Sequence, residues 1–237
     1  MQDWTISLAD TQIGSFSLQN HVFASVVNIL SSPTQVIEAA TLQKFAKITP
    51  QYPGVRAPLP QSVSLAWLNE LSPLLDTAFG SSEHGWEMQA WFSLVTAGPG
   101  DLIPMQRFPH VDGTDARQLA MMLYLHDTPH GGTGFFRQRS TGLEALTDAN
   151  FPRYRQALEN DVRTNGLPPP AYVTDGEPYF ERTHVCEGAF NQAFFYRGNV
   201  LHSGLIDGSA ELSPDPARGR LTINAFFRPI EQAQMGS

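Results

Sequence analysis

Three residues of the sequence are of the types that bind transition metals, and two of them are close together in the chain. His110 and Asp112 are separated by a single residue. If this stretch is a β-strand, both side chains point to the same side. His202, in the segment YRGNVLHSG, lies at a predicted strand end beside a turn and is a candidate third ligand. Two imidazoles and one carboxylate on one face of an octahedral ion leave its other positions open, an arrangement typical of non-haem Fe(II) sites.

Each of these residues also has an ordinary explanation. A histidine and an aspartate one residue apart occur together in many proteins without a metal. A histidine at a turn, such as His202, is more often a structural residue. The order of the segments favours the metal site: the His-x-Asp pair comes near the start of the strand-rich half, a Gly-Gly-Thr turn follows, His202 comes much later, and a strand with an arginine closes the domain.

A candidate binding site for a carboxylate lies on the last predicted strand, RGRLTINAFF. Arg220, Thr222 and Asn224 alternate along this strand and therefore face one side, while the residues between them are apolar. A guanidinium and a hydroxyl on one inward face can bind both oxygens of a carboxylate. A structural ion pair with one of the 23 acidic residues is the alternative. Arg218 is a rival for the same role, but only Arg220 is in register with Thr222 inside the strand.

Two further polar residues are candidates for the same pocket. Tyr124, in LAMMLYLHD, is assigned to the interior face of its strand, and a buried phenol needs a partner such as the distal carboxylate of a bound acid. Gln106 precedes His110 by four residues in a segment predicted to be a strand, so both would face the pocket. The alternatives are a core tyrosine bonded to the backbone and, for Gln106 and Asn224, ordinary polar strand residues with backbone partners.

The elements that must position these residues are predicted to be mainly β-strands. From Trp86 onwards, short apolar runs alternate with Gly, Pro, Asp or Asn, which is the pattern of an antiparallel sandwich or barrel. Residues 1–85 are predicted to form a supporting region of strand and helix. Residues 86–230 are predicted to form the β-rich core, with a long insertion at 137–189 that contains a helix and lacks regular strands. We treat the chain as one domain overall.

Composition limits the functional classes. The 237-residue chain has 15 basic and 23 acidic residues and a formal net charge of −8, which argues against a broad nucleic-acid-binding surface. The N-terminus lacks the features of a signal peptide, and no apolar run is long enough to span a membrane. We therefore expect a cytoplasmic protein that binds neither nucleic acid nor membranes. The sequence leaves its oligomeric state open, a homodimer included.

Four segments together resemble the Fe(II)/2-oxoglutarate-dependent dioxygenases, in particular the prolyl-hydroxylase-like branch. These segments are PHVD, MMLYLHDTPHGGTGFF, RGNVLHSG and RLTINAFF. The resemblance covers about residues 86–230 and leaves the 137–189 insertion unaccounted for. The whole chain also resembles a bacterial group within this superfamily, with YPGVRAP as a further shared stretch.

The resemblance implies a double-stranded β-helix, or jelly-roll, barrel flanked by N-terminal helices and a helical insertion. It implies that His110, Asp112 and His202 bind Fe(II), and that Arg220 and Thr222 bind the distal carboxylate of 2-oxoglutarate with Tyr124 beside them. The implied reaction is hydroxylation of a small-molecule, amino-acid or peptide substrate by O2, with release of succinate and CO2. The carboxylate ligand disfavours a halogenase, since halogenases of this family have a small residue in its place.

Other readings of the same residues remain open at this point. A non-catalytic protein on the same barrel could hold a metal or a small acid, and a cupin-type metal hydrolase or isomerase could also use two histidines and an acid. The aromatic and arginine residues of the 137–189 insertion could contact a carboxylate-bearing or peptidic substrate, but for most of them a helix packed on the barrel with solvated arginines is favoured. Arg56 in YPGVRAP is likewise a weak candidate. His126, His130 and His184 are interpreted as structural or exposed residues.

Overall fold

The computed structural model describes residues 4–126, 131–206 and 212–231. His130 lies outside these ranges. Within these ranges the structure has ten strands and three α-helices. They are β1 (Thr11–Phe16), β2 (His21–Val26), α1 (Pro33–Thr41), β3 (Gly54–Pro58), α2 (Gln61–Phe79), β4 (Trp86–Val95), β5 (Leu119–Tyr124), β6 (Thr133–Gln138), α3 (Phe151–Asn165), β7 (Phe180–Cys186), β8 (Gln192–Arg197), β9 (His202–Gly204) and β10 (Arg220–Pro229). The prediction of a mainly β protein with α-helical support is confirmed.

The strands form two antiparallel sheets that pack face to face. The larger sheet has seven strands in the order β1-β2-β8-β5-β10-β4-β3, and the smaller one has the order β7-β6-β9. A buried apolar cluster joins them, with Tyr124 and Tyr196 from the large sheet and Phe135 from the small one. Among the described residues, no helix is long and apolar enough to cross a lipid bilayer.

The outer face of the large sheet packs against α1 and α2. In β10, Leu221 and Ile223 point to this face, and both are fully buried in a cluster that also contains Trp67 and Leu71 of α2. The alternation of side chains along each strand explains why consecutive residues of β10 separate into this apolar face and an opposite polar one. The apolar face supplies most of the burial that holds the helices on the sheet.

The inner face of the large sheet carries a row of polar residues that lie directly opposite one another. Arg56 of β3 pairs with Ser93 of β4, Ser93 pairs with Thr222 of β10, and Thr222 pairs with Tyr124 of β5. Arg220 lies one pleat further along β10, on the same side. This polar row faces the small sheet and forms one wall of the space between the sheets.

The segment before His110 differs from its predicted strand. It contains two short 3₁₀ turns, Pro99–Asp101 and Pro104–Arg107, and joins a sheet only through an isolated bridge between His110 and His202. Its prolines explain the difference, because proline cannot donate the backbone hydrogen bond that a sheet ladder requires. The apolar residues of LIPMQRFPHVD (residues 102–112, the wall segment) therefore belong to an irregular segment rather than to a continuous strand.

The region 137–189 contains the predicted helix, α3, and one strand that the sequence reading missed. Strand β7 pairs with β6 at the edge of the small sheet. Its sequence, FERTHVC, is half polar, as is common in an edge strand with one face near solvent, and this hid it from an apolar pattern search. Helix α3 packs through Tyr154 against Phe136 and Phe180 of the small sheet.

Candidate metal centre

The three predicted ligands come together at one place between the sheets. Each of His110, Asp112 and His202 offers a ligand atom, and these atoms all lie within 4.8 Å of one another. His202 is buried at the start of β9, Asp112 is half-buried, and His110 is open to the central cavity. A separation of this size is what three donors around one ion require, so the geometry agrees with the spacing argument although His110 and Asp112 are not on a regular strand.

Backbone hydrogen bonds fix the position of the two early ligands against the late one. The His110 amide donates to the His202 carbonyl and the His202 amide donates to the His110 carbonyl, both at 2.8 Å. The Asp112 amide donates to the carbonyl of Gly198, also at 2.8 Å. The loop that carries His110 and Asp112 is thus attached directly to the segment leading into β9.

Gly198 allows the Asp112 side chain to come close to the backbone. A Cβ atom at position 198 would lie 3.3 Å from the Asp112 Cβ and 3.4 Å from its Oδ2. Most Cβ contacts are wider than this, so a side chain at position 198 would require the Asp112 side chain to shift by a few tenths of an ångström. Gly198, the residue directly after β8, therefore helps to place the Asp112 side chain.

The ring of His202 is held with one nitrogen facing the site. Its Nδ1 lies 2.8 Å from the Val200 carbonyl, which can only accept, so Nδ1 carries the proton. The unprotonated Nε2 lies 3.6 Å from Asp112 Oδ2. A backbone carbonyl that fixes the tautomer of a histidine in this way is the usual partner of a metal-binding imidazole.

The electrostatics of the three side chains fit a cation. Desolvation by the surrounding protein lowers the pKa of His110 to about 4, with His202 adding to the effect, and burial lowers the pKa of His202 to about 4. Burial raises the pKa of Asp112 to about 6, although His110 and Arg56 oppose this shift. The Asp112 Oδ2 atom is buried without a hydrogen-bond partner. Neutral imidazoles and an unsatisfied buried oxygen are a donor set that a divalent metal would satisfy.

A cavity of about 570 Å³ adjoins the three ligands. Arg220 and Asn224 of β10 line it, together with Thr133 of β6. Arg220 is only 2% exposed, and its Nη2 donates to the carbonyls of Gly131 and Gly132 at 3.2 and 3.1 Å. Arg218, by contrast, lies exposed in the turn before β10, so of these two arginines Arg220 faces the cavity.

The other predicted residues of the carboxylate site lie beside Arg220. The Thr222 hydroxyl donates to Asn224 Oδ1 at 2.7 Å, and both side chains are buried. The Tyr124 phenol is 2.7 Å from the Thr133 hydroxyl and fully buried, and burial raises its pKa well above the usual value. The predicted alternation on β10 and the predicted interior face of β5 are both present in the structure.

Gln106 has a different place from the one that the sequence suggested. It belongs to a 3₁₀ turn and not to the same pleat as His110. Its Oε1 accepts from the Ile103 amide at 3.0 Å, and its Nε2 donates to the Pro50 carbonyl at 2.9 Å. Gln106 lies at the rim of the cavity, but its amide group ties the wall segment to the chain before β3.

The sequence analysis missed Tyr52 and Ser93 and underrated Arg56. Tyr52 and Arg56 line the cavity, and Ser93 lies opposite Arg56 on β4. The guanidinium carbon of Arg56 is 4.1 Å from the centre of the Tyr52 ring. The signal was present in GVRAP, where Val and Ala on either side of Arg56 predict that the arginine faces away from the apolar core.

His126 and His184, two of the other described histidines, lie apart from the three candidate ligands. His126 is 4% exposed and its ring packs edge-on to Tyr124, while the His184 ring stacks on Phe16 with centroids 4.6 Å apart. Burial lowers the pKa of His184. Both positions agree with the structural interpretation.

A family model matches residues 9–227 of the chain. The chain belongs to DUF6445, a family of unknown function. A comparison with curated proteins gave no match.

The fold of this DUF6445 member is similar to that of several solved structures. HygX from Streptomyces hygroscopicus, with nickel and 2-oxoglutarate bound, is 12% identical over 91% of this chain and 89% of its own, with a TM-score of 0.51. HygX with nickel, 2-oxoglutarate and hygromycin B bound is 14% identical over 87% and 82%, with a TM-score of 0.50. The non-heme alpha ketoglutarate dependent epimerase SnoN from nogalamycin biosynthesis is 13% identical over 91% and 86%, with a TM-score of 0.44. At such low identity, the likeness to HygX shows a shared fold.

Proposed function

We propose that this protein is a non-haem Fe(II)- and 2-oxoglutarate-dependent oxygenase. The observation that carries the proposal is the convergence of His110, Asp112 and His202 at a cavity that also contains a buried arginine, Arg220. The shared fold with HygX, a protein whose structures contain nickel and 2-oxoglutarate, supports the same assignment.

Each side chain of the site has a specific task in this proposal. His110, Asp112 and His202 hold Fe(II), which when bound activates O2 and couples oxidation of a substrate to the conversion of 2-oxoglutarate into succinate and CO2. Arg220 binds the distal carboxylate of 2-oxoglutarate, because a guanidinium fork matches the two oxygens of a carboxylate. Thr222, Asn224 and Tyr124 keep the surroundings of this arginine polar and ordered.

The finer features of the proposal concern fold and reaction. The two facing antiparallel sheets support a double-stranded β-helix over residues 86–230, with 137–189 as an insertion and 1–85 as a supporting region. We assign the chain to the prolyl-hydroxylase-like branch. Asp112 fills the ligand position that a halogenase leaves to halide, which favours hydroxylation. The size of the cavity suits a small-molecule substrate or a peptide side chain.

Anaerobic titration followed by exposure to air tests the proposal. Addition of Fe(II) and then 2-oxoglutarate should produce a weak visible charge-transfer band, and O2 should then release succinate. Replacement of Arg220 by Gln should weaken 2-oxoglutarate binding about ten- to hundredfold while leaving Fe(II) binding intact. Arg218→Gln is the matched control and should leave both unchanged.

The outcomes separate the rival functions. Binding of Fe(II) and 2-oxoglutarate without succinate release, with candidate substrates present, would identify a non-catalytic binding protein. Metal binding without any affinity for 2-oxoglutarate would favour a hydrolase or isomerase. Equal 2-oxoglutarate affinity in the Arg220→Gln variant would remove Arg220 from the proposed role.

A further inference from the structure

The cavity contains a second arginine, whose orientation follows from strand β3. Val55 and Ala57 belong to the apolar cluster on the outer face of the large sheet. Arg56 lies between them and therefore points to the inner face, where it lines the same cavity as the three candidate ligands. It is separated from β10 by strand β4, so Arg56 and Arg220 reach the cavity from different strands.

Aromatic rings hold the Arg56 guanidinium in place and leave its hydrogen-bonding groups unused. Its carbon lies 4.1 Å from the Tyr52 ring centre and 5.8 Å from the Trp91 ring centre. Its Nε atom is buried and has no hydrogen-bond partner within the described ranges. Stacking of this kind orients a guanidinium without consuming its N–H donors, so the fork stays available to a ligand.

Two hydroxyl groups beside Arg56 are buried with it, those of Tyr52 and Ser93. Their side chains interact with each other, and neither hydroxyl has another partner among the described residues. Ser93 is directly opposite Arg56 in the sheet, and Tyr52 stacks on Arg56. Buried polar groups without partners cost stability, which is tolerated where a ligand supplies the missing acceptor.

The charge balance points to an anionic ligand. Among the residues that the structure describes, Asp112 is the acidic side chain whose charge acts on Arg56. A metal ion bound by Asp112 would take up this negative charge. Arg56 would then present an unbalanced positive charge to the cavity, next to the Tyr52–Ser93 pair, in which one O–H donor remains for a ligand.

We propose that Arg56, Tyr52 and Ser93 form a second anion site, which binds a carboxylate of the primary substrate. The inference rests on the proposed function, in which Arg220 is occupied by 2-oxoglutarate. The substrate class is a carboxylate with an apolar body, because the rest of the cavity wall includes Met105, Phe108, Val111, Phe151, Leu158 and Ile206. The carboxylate docks at the large sheet, and the apolar part lies towards the wall segment and α3.

The test uses ligand-observed NMR on the protein loaded with Ni(II) and 2-oxoglutarate under anaerobic conditions. The probes are a panel of aliphatic and aryl monocarboxylates, each with its matched primary amide. We expect the wild type to bind carboxylates and to bind them more tightly than their amides. The Arg56→Gln variant should lose about ten- to hundredfold of its carboxylate affinity, and Arg56→Lys should retain part of it.

Control measurements keep the outcome specific. Arg155→Gln is the control: the Arg155 side chain on α3 is 70% exposed, faces Glu159 and does not line the cavity, so this variant should bind the panel as the wild type does. The thermal midpoint of the Arg56→Gln variant should match that of the wild type, and its Ni(II) affinity should be no weaker, since the substitution removes a positive charge near Asp112. Equal binding of acids and amides by the wild type would overturn the proposal, as would unchanged carboxylate binding after Arg56→Gln.

A further outcome separates this inference from the proposed function. Loss of 2-oxoglutarate affinity in Arg56→Gln, with carboxylate probes unaffected, would make Arg56 the co-substrate arginine and overturn the inference. Repeating the panel with Ni(II) alone distinguishes the two failures. Arg56-dependent carboxylate binding by a wild-type protein that does not bind 2-oxoglutarate would support the second site and contradict the oxygenase assignment.

Discussion

The two faces of the seven-stranded sheet use the same strands for different purposes. On the outer face, residues such as Leu94 and Ile223 are fully buried against α1 and α2. On the inner face, Arg56, Ser93 and Thr222 lie opposite one another, and Arg56 lines the cavity. Because side chains alternate along a strand, each strand contributes to both faces. The outer face therefore stabilises the fold, and the inner face carries the polar groups available for binding.

The difference extends to hydrogen bonding. Within the part of the chain that the structure describes, Arg56 Nε and Asp112 Oδ2 are buried at the cavity without a hydrogen-bond partner, and the hydroxyls of Tyr52 and Ser93 have only each other. Groups of this kind destabilise a folded protein unless something pairs with them. The inner face thus resembles many binding sites, whose unpaired polar groups lower the stability of the protein as a whole.

The largest effect is expected on the outer face. Phe92 is completely buried and packs edge-on to Trp4, with ring centres 6.0 Å apart. Phe92→Ala should lower the free energy of unfolding by about 3–5 kcal/mol, since a large buried side chain would leave a cavity. Denaturant unfolding of the metal-free protein measures this. The half-buried Phe226, on the inner face, is the matched control, and an equally large loss for Phe226→Ala would contradict the division of the two faces.

A second effect is expected where the backbone approaches a ligand. Gly198→Ala would place a Cβ 3.3 Å from the Asp112 side chain and displace its carboxylate. Metal affinity, measured by calorimetric titration with Ni(II), should fall about ten- to hundredfold, as it does when groups that orient a ligand are removed. Gly100→Ala is the control, because a Cβ there meets no atom within 4 Å. Unchanged affinity in Gly198→Ala would show that Asp112 does not need this approach.

Metal binding should depend on pH in a way that identifies Asp112. The imidazoles of His110 and His202 have pKa values of about 4 and stay neutral above that value, whereas Asp112 has a pKa of about 6. Between these values one proton must leave Asp112 for the metal to bind, so affinity should fall about tenfold per pH unit below about pH 6. Ni(II) titrations across this range measure the slope. A steeper fall that begins near the ordinary pKa of histidine would contradict the assignment.

The smallest effect concerns stability without metal. The folded-state pKa of Asp112 is raised from 3.8 to about 6, so its ionised form destabilises the folded protein. The protonated carboxylic acid favours the folded state. Its stabilising contribution is complete below about pH 4 and is lost as the pH rises through about 6. Asp112→Asn should therefore be slightly more stable than the metal-free wild type above pH 6 and should not bind metal. A less stable variant at neutral pH would show that the carboxylate is already satisfied.

The sequence predicted the site better than it predicted the connecting segments. Arg220 and Thr222 were placed correctly because β10 is a regular strand, and in a regular strand alternation determines which side chains share a face. The convergence of His110 and Asp112 with His202 was also predicted. The reason was partly wrong, since an isolated bridge and a glycine contact replace the expected strand.

Other features depend on tertiary contacts that a single sequence does not display. Strand β7 is recognisable only through its pairing with β6, because its own residues are half polar. Gln106 was misplaced because the prolines around it break the strand pattern. Tyr52 and Ser93 acquire a role only from the register that brings them to Arg56, and the sequence alone contains no sign of that register.

The most direct test of the central claim is anomalous diffraction from crystals of the protein grown with Ni(II) or Fe(II). The account predicts one strong peak per chain, within bonding distance of His110, Asp112 and His202, and no peak at this position in crystals of His202→Ala. A metal bound elsewhere with this position empty, or a peak that survives the loss of His202, would contradict it.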